Sequence, residues 1–258
     1  MRNQVISLYD YTGEALRPWA EAGYECYAYD IQHKAAPEDY SDRKKVRSGG
    51  SIYYFKADLY DLDTLRRLIS RHEGQVAFMS AFPPCTDLAS SGARWWASKA
   101  KSNPNFQTEA ANHALLAGWV GETLGCPYYV ENPIGALSRL WHKPDHKFDP
   151  CDFGGYLPED DVHPKWPDII PARDAYRKRT CLWTGGGFTM PTPRKVSHLT
   201  VAYDRADPSK SGKFSPVAGK TGGKSLRTKN IRSATPRGFA EAVFQSNTNT
   251  KREISLCL

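Results

Sequence analysis

Nowhere in this chain do apolar residues run uninterrupted for anything near the roughly 20 positions that a membrane-spanning helix needs, so no such helix is expected. The opening residues, Met1-Arg2-Asn3-Gln4-Val5, carry no long apolar stretch of the secretory kind, and a cytoplasmic protein is the expectation. Cysteine is scarce. Six in 258 residues cannot form a disulfide scaffold, which fits a reducing compartment. There is no internal repeat, no Cys-x-x-Cys pair and no Gly-x-Gly-x-x-Gly set. What remains is 40 % hydrophobic residues, enough to bury a core, in a length that suits one large domain or one domain with an inserted subdomain.

The net charge is +7, but it is local. Between Arg205 and Arg237 nine basic residues face the single acid Asp207, a net +8, so the rest of the chain is close to neutral. Gly, Ser, Thr and Pro fill this stretch and large apolar residues are few, so it is not expected to pack a core. It reads either as a solvated loop or as a surface lying on phosphates, with release of their counterions.

Short apolar runs alternate with helical patterns along the frame. Val5–Tyr9, Tyr24–Tyr29, Ile52–Phe55, Gln75–Ser80, Pro127–Val130 and Thr180–Trp183 read as strands; residues near Leu16–Gly23, Leu59–Arg71 and Thr108–Leu124 read as helices. Residues 33–50 read as a polar connection, and 134–176 and 185–231 as Pro/Gly-rich interruptions. This order predicts an α/β fold, a mainly parallel sheet with helices on both faces. Ligands in such sheets bind beyond the carboxyl ends of the strands. Asp10, Asp30, Asp58, Cys85 and Glu131 all fall at those ends.

Strand, turn with Gly13, then helix is a nucleotide-binding opening, and the acid Asp30, at the end of the second strand, sits where ribose hydroxyls are held. A lone glycine suits a cofactor with a ribose but no pyrophosphate, such as S-adenosylmethionine. The competing reading makes Asp10 and Asp30 helix caps or turn residues. Pro83-Pro84 fixes φ twice and removes two donors, ending a strand abruptly and presenting Cys85 as a candidate nucleophile, its thiolate favoured if a helix begins there. Glu131, ahead of Asn132-Pro133 on the next strand, is a candidate acid beside it. A buried structural cysteine and a capping carboxylate are the alternatives.

Phe82-Pro83-Pro84-Cys85 resembles the Pro-Cys motif of the cytosine-C5 DNA methyltransferases, and Glu131-Asn132-Pro133 their Glu-Asn-Val motif. Arg177-Lys178-Arg179 resembles their Arg-x-Arg motif, and Arg232-Ser233-Ala234-Thr235 their Arg-x-x-Thr motif, in the family's order. Compact phage and prophage-type members are most similar, over residues 5–185 and 230–246. The resemblance implies a Rossmann-like S-adenosylmethionine-dependent methyltransferase fold with a small irregular insert. Residues 1–184 and 231–246 would form the catalytic domain (134–176 being the insert), 185–230 a short basic target-recognition region, and 247–258 a tail.

It further implies methyl transfer from S-adenosylmethionine to C5 of cytosine in DNA, through a covalent Cys85–C6 bond on a flipped-out base. Glu131 would hold the base, and Arg179, with Arg177, its O2 side. The cofactor, S-adenosylmethionine or a modified derivative, would lie against Asp10, Tyr11, Thr12, Gly13, Asp30, Ile31, Asp58, Leu59 and Pro83. Ser90, Arg94, Lys220, Lys224, Arg227, Lys229 and Arg232 would contact double-stranded DNA. The implied protein is a monomer in a bacterial or phage-infected cell. RNA as the polymer, or a non-catalytic DNA-binding protein on the same fold, stay open.

His142, His146, Cys151, His163 and Cys181 cluster in sequence around the insert. A zinc ion held by His146, Cys151, His163 and Cys181 would staple a segment with little core of its own; scattered surface histidines and packed cysteines are the alternative.

Overall fold

Two entirely buried runs, β1 (Gln4–Leu8) and β5 (Val76–Ala81), set the centre of the molecule. Strands buried on both faces read as unbroken apolar runs, as parallel strands between helix layers must. The computed structural model describes residues 2–36, 43–46, 49–200, 215–221 and 225–255, with side-chain surroundings to residue 248. In chain order the elements are β1, α1 (Arg17–Glu21), β2 (Glu25–Asp30), β3 (Arg43–Lys45), β4 (Ser51–Lys56), α2 (Leu62–His72), β5, α3 (Trp96–Ser102) and α4 (Phe106–Leu124). Then come β6 (Tyr128–Pro133), α5 (Leu137–Leu140), β7 (His146–Phe148), β8 (Thr180–Gly185), α6 (Pro216–Lys220), α7 (Leu226–Ser233) and α8 (Arg237–Ser255).

The eight strands form one sheet in the order β3-β4-β2-β1-β5-β6-β8-β7. β4, β2, β1, β5 and β6 are mutually parallel; β3, β8 and β7 pair antiparallel at the two edges. The chain winds outward from β1 to β2 and β4, then crosses back to β5. A crevice therefore opens at the carboxyl ends of β1 and β5. Period-two alternation splits the side chains between two cores. Ile6, Leu8, Tyr29, Phe55 and Met79 face α2 and α4. Val5, Ala28, Tyr54, Phe78, Tyr129 and Leu182 face Trp19 and Ala20 of α1 and Phe239, Ala242 and Val243 of α8. The stripe that α4 buries is alanine and glycine apart from Val120 and Leu124, which lets the helix lie close on the sheet.

The mixed α/β sheet with helices on both faces agrees with the sequence reading. Four stretches differ from it. Within 33–50, β3 adds to the edge of β4. Within 134–176, β7 joins the sheet, and Phe148 stacks on Phe239 with ring centroids 4.1 Å apart. The stretch read as unable to pack holds α6 and α7: Val217 and Ile231 form a small core by borrowing Ile170 and Tyr176 from the insert. Finally, α8 runs on past residue 247, the expected start of a tail, and Asn247 clasps the Thr189 backbone through both its amide atoms, at 2.9 and 3.0 Å. No helix among the described residues is long and apolar enough to cross a membrane.

Candidate active site

The turn after β5 is locked from both sides. Phe82 N–H donates to the Leu8 carbonyl at 3.0 Å, continuing the ladder one residue past the strand. Fully buried Asn132 on β6 donates from Nδ2 to the Pro83 carbonyl at 3.1 Å. Its Oδ1 is buried with no hydrogen-bond partner. Beyond the prolines, the Leu88 and Ala89 N–H groups fold back on the Cys85 carbonyl at 3.1 and 2.9 Å. The loop is then pinned to the segment after β6. Ala136 N–H donates to Leu88, and Ser90 donates to the Ile134 carbonyl from both its N–H and its hydroxyl. Gly135 is required here, because a Cβ would collide with the Leu88 carbonyl.

Cys85 is exposed at its surface yet stands deep among neighbouring atoms. This burial, and then the Glu131 carboxylate, push its thiol above the ordinary range; the Lys178 ammonium opposes them. No helix begins at Cys85, so the expected helix-terminus help for a thiolate is replaced by one lysine. Lys178 Nζ lies 3.7 Å from Glu131 Oε1, with both side chains mostly buried. Phe82, Glu131, Lys178 and the Ser233–Pro236 turn line one small cavity of about 10 Å3, closed at its base by Phe148 and Phe239.

The structure thus brings Glu131, Lys178 and Thr235 to one cavity, and Cys85 within the electrostatic reach of Glu131 and Lys178, whereas Arg177 and Arg179 are placed elsewhere. Arg179 pairs with buried Asp149 at 3.0 Å. Arg177 is exposed and bears on the Cys151 thiol. The middle residue of the basic triplet occupies the position expected of its neighbours.

At the β1 end, the Asp10 carboxylate is used entirely within its own turn. Oδ1 accepts from Thr12 N, Thr12 Oγ1 and Gly13 N at 3.0, 3.1 and 2.8 Å, and Oδ2 from Ser7 Oγ at 2.9 Å. Burial raises its pKa and these donors lower it. Asp10 therefore shapes the loop. Gly13 has φ +69°, and a Cβ on it would overlap the Tyr54 hydroxyl. Tyr11 is exposed and stacks on His33.

Asp30 is buried at the end of β2; Oδ1 accepts the Gln32 N–H at 2.7 Å, and burial raises its pKa. Ile31 beside it is 60 % exposed. Asp58 Oδ1 accepts the Tyr60 N–H at 3.0 Å. Leu59 is buried, and its carbonyl accepts the Tyr9 hydroxyl at 3.1 Å; that hydroxyl also lies 3.2 Å from His113 Nδ1. Tyr9 adopts φ +55°, a strained choice for a tyrosine. Burial first, then Asp58, Tyr60 and Asp30, push its phenol pKa up, so both carboxylates bear on one aromatic niche. Nothing in the sequence pattern marked Tyr9 or His113.

Of the expected nucleic-acid contacts, Lys220 donates to the Asp168 carbonyl at 2.7 Å and Arg232 to Thr221 Oγ1 at 3.0 Å. Arg94 lies over the Trp95 ring, while Arg227 and Lys229 are exposed on α7. Lys224 lies outside the described residues, as do Arg205, Lys210 and Lys213.

Among the described residues no group of three or more His, Cys, Asp or Glu is arranged to hold a metal, so His146, Cys151, His163 and Cys181 form no such cluster. His142 Nδ1 lies 2.8 Å from the Lys143 carbonyl. His163 Nδ1 accepts the Lys165 and Trp166 N–H groups at 3.2 and 3.1 Å, and burial, then Arg237, push its pKa down to about 4.

No family model matches the chain, and no curated protein does. Among solved structures it is similar to an E. coli protein, proposed to be a DNA modification methyltransferase encoded within a prophage. The identity is 12 % and the TM-score 0.39, over 70 % of this chain and 46 % of that one. The chain thus spans less than half the length of that protein, and a TM-score of 0.39 is too low for the likeness to bear on function.

Proposed function

We propose that the protein transfers a methyl group from S-adenosylmethionine to C5 of cytosine in DNA. The observation that carries this reading is the meeting of Cys85 and Glu131, from the carboxyl-end side of the parallel neighbours β5 and β6, with Lys178, which precedes the antiparallel β8. A thiol beside a carboxylate that is itself held by a cation suits covalent catalysis on a weakly nucleophilic ring.

The niche around Tyr9 fits the cofactor in its donor set. Asp30 and Asp58, both bearing on it, match ribose hydroxyls, an adenine amine and the charge of a sulfonium. The Cβ-free turn at Gly13 leaves backbone for the amino-acid part. Bound there, S-adenosylmethionine supplies an electrophilic methyl group. Cys85 Sγ adds to C6 of a cytosine drawn from the duplex stack; once C5 carries the methyl group, loss of the C5 proton expels the thiolate and restores the ring. Glu131 holds the N3 proton and the exocyclic amine, and Lys178 positions Glu131 while favouring the thiolate. Ser90 and Arg94, on the loop pinned to Ile134, are the residues we assign to contact with DNA around that base. Exposed Arg227 and Lys229 on α7 suit the phosphate backbone.

Mass spectrometry of nucleosides, after DNA is incubated with protein and S-adenosylmethionine, tests the reading. A cytosine heavier by one methylene, lost in Cys85→Ser, is expected. Modification that survives Cys85→Ser, or that falls on another base, overturns it.

A further inference from the structure

The insert reaches back to the turn that follows β1. Lys165 is 153 residues from Thr12 in sequence, yet its Nζ donates to the Thr12 carbonyl at 3.3 Å and lies 2.6 Å from Glu14 Oε1. The Glu14 side chain keeps no exposure and also pairs with Arg17 Nε at 3.2 Å. Burial alone would raise its pKa; Lys165 and then Arg17 outweigh it and hold the carboxyl below the ordinary range. The two cations differ in what else they hold. Arg17 answers Glu14 from three residues along the same stretch, whereas Lys165 comes from the insert and joins the carboxylate to the Thr12 carbonyl.

The peptide that joins Thr12 to Gly13 is thereby held at both ends. Asp10 Oδ1 accepts its N–H at 2.8 Å, and Lys165 donates to its oxygen. A peptide unit is planar, so fixing both atoms fixes its orientation. Gly13 follows with φ +69°, and the direction of the turn depends on that plane. Lys165 is itself aimed. Residues 161–166 have no regular structure, but alternate side chains anchor them. Asp161 accepts the Arg173 N–H and pairs with Arg237. His163, 3 % exposed, accepts the Lys165 and Trp166 N–H groups, and its ring stacks on Trp166 with centroids 5.3 Å apart.

We propose that Lys165 is a positioning residue for the cofactor. By holding the Thr12 carbonyl, the insert fixes the turn against which the amino-acid part of S-adenosylmethionine lies. This rests on the function proposed above and gives the insert a part in cofactor binding. A turn ordered beforehand spares the ligand the cost of ordering it.

Calorimetry on the full chain with S-adenosylhomocysteine, the donor without its methyl group, tests this. Lys165→Met should weaken binding about tenfold, the factor of one charge-assisted hydrogen bond. Arg17→Met removes the other cation from the same carboxylate and leaves the Thr12 carbonyl held. It should lower the melting temperature and keep the dissociation constant within about twofold of wild type. Unchanged binding by folded Lys165→Met overturns the proposal. So does equal weakening in the two variants, which would mean that Lys165 acts only by answering a buried charge. If Lys165→Met does not fold, Lys165→Gln takes its place and is judged by the same outcomes. Wild-type protein that takes up no S-adenosylhomocysteine overturns the methyltransferase reading itself, and the role of Lys165 falls with it.

Discussion

The buried pair between Asp161 and Arg237 gives a sharp test of what holds the insert against the start of α8. Arg237 opens α8 directly after the Thr235-Pro236 turn, and its Nη2 donates to Asp161 Oδ1 in the insert. The side chains keep only 17 % and 5 % of their exposure. Asp161 also accepts the Arg173 N–H at 2.8 Å, and Arg237 Nε is buried with no partner. Asp161→Ala would strip the buried guanidinium of its paired carboxylate, leaving Asp174 as the acid that still bears on it. Breaking one side of a buried pair costs about 3–5 kcal/mol, and the residual exposure of Arg237 argues for about 3. With a urea m-value of about 3 kcal/mol/M for a chain of this size, the midpoint should fall by about 1 M. Urea denaturation followed by tryptophan fluorescence reads this directly. The double variant Asp161→Leu with Arg237→Met should recover much of the loss, because both charges then leave together. A midpoint drop below about 0.3 M, or a double variant worse than the single one, would refute the reasoning.

Asp174 should set part of the pH dependence of stability. Burial raises its pKa to about 7, although its carboxylate accepts the Gly238 N–H at 2.8 Å. A folded pKa above the unfolded one means that this contribution is full below about pH 4 and is lost as pH climbs towards 7. Asp174→Asn keeps the acceptor and suits the positive φ of 46°. Its melting temperature should exceed that of the wild type at pH 8 and match it at pH 4; equal melting at both is the contrary result. Lys178→Gln should move the pH profile of Cys85 alkylation, read by mass spectrometry, to higher pH, while Arg179→Gln should leave it in place. An unmoved profile in Lys178→Gln would remove the lysine from the site. Gly13→Ala should cost about 2 kcal/mol or more, from the left-handed backbone and the overlap with Tyr54 together; thermal unfolding checks it, and a neutral result would mean that the turn tolerates a Cβ.

The parallel frame was legible because its strands are buried on both faces and so appear as apolar runs that stop abruptly at polar residues. Asp10, Asp30, Asp58, Cys85 and Glu131 sit at those stops, and the sheet brings their ends to one edge. β3 and β7 were not legible. Each has three residues and is held by its partner's register, so neither carries a pattern of its own. The same reasoning explains why the triplet Arg177-Lys178-Arg179 misled. Residues in an extended run alternate faces, but the run alone does not say which face meets β6. That is decided by the antiparallel register that sets Leu182 opposite Glu131 and Thr180 opposite Phe148. Opposed residues point the same way, so Leu182, Thr180 and, two residues earlier, Lys178 share the face of Glu131. Arg179 falls on the other face, where Asp149 meets it. One residue of slip between β6 and β8 would exchange lysine for arginine beside the carboxylate. The identity of the cation at this site is therefore a consequence of sheet register, and no motif read along one strand could have contained it.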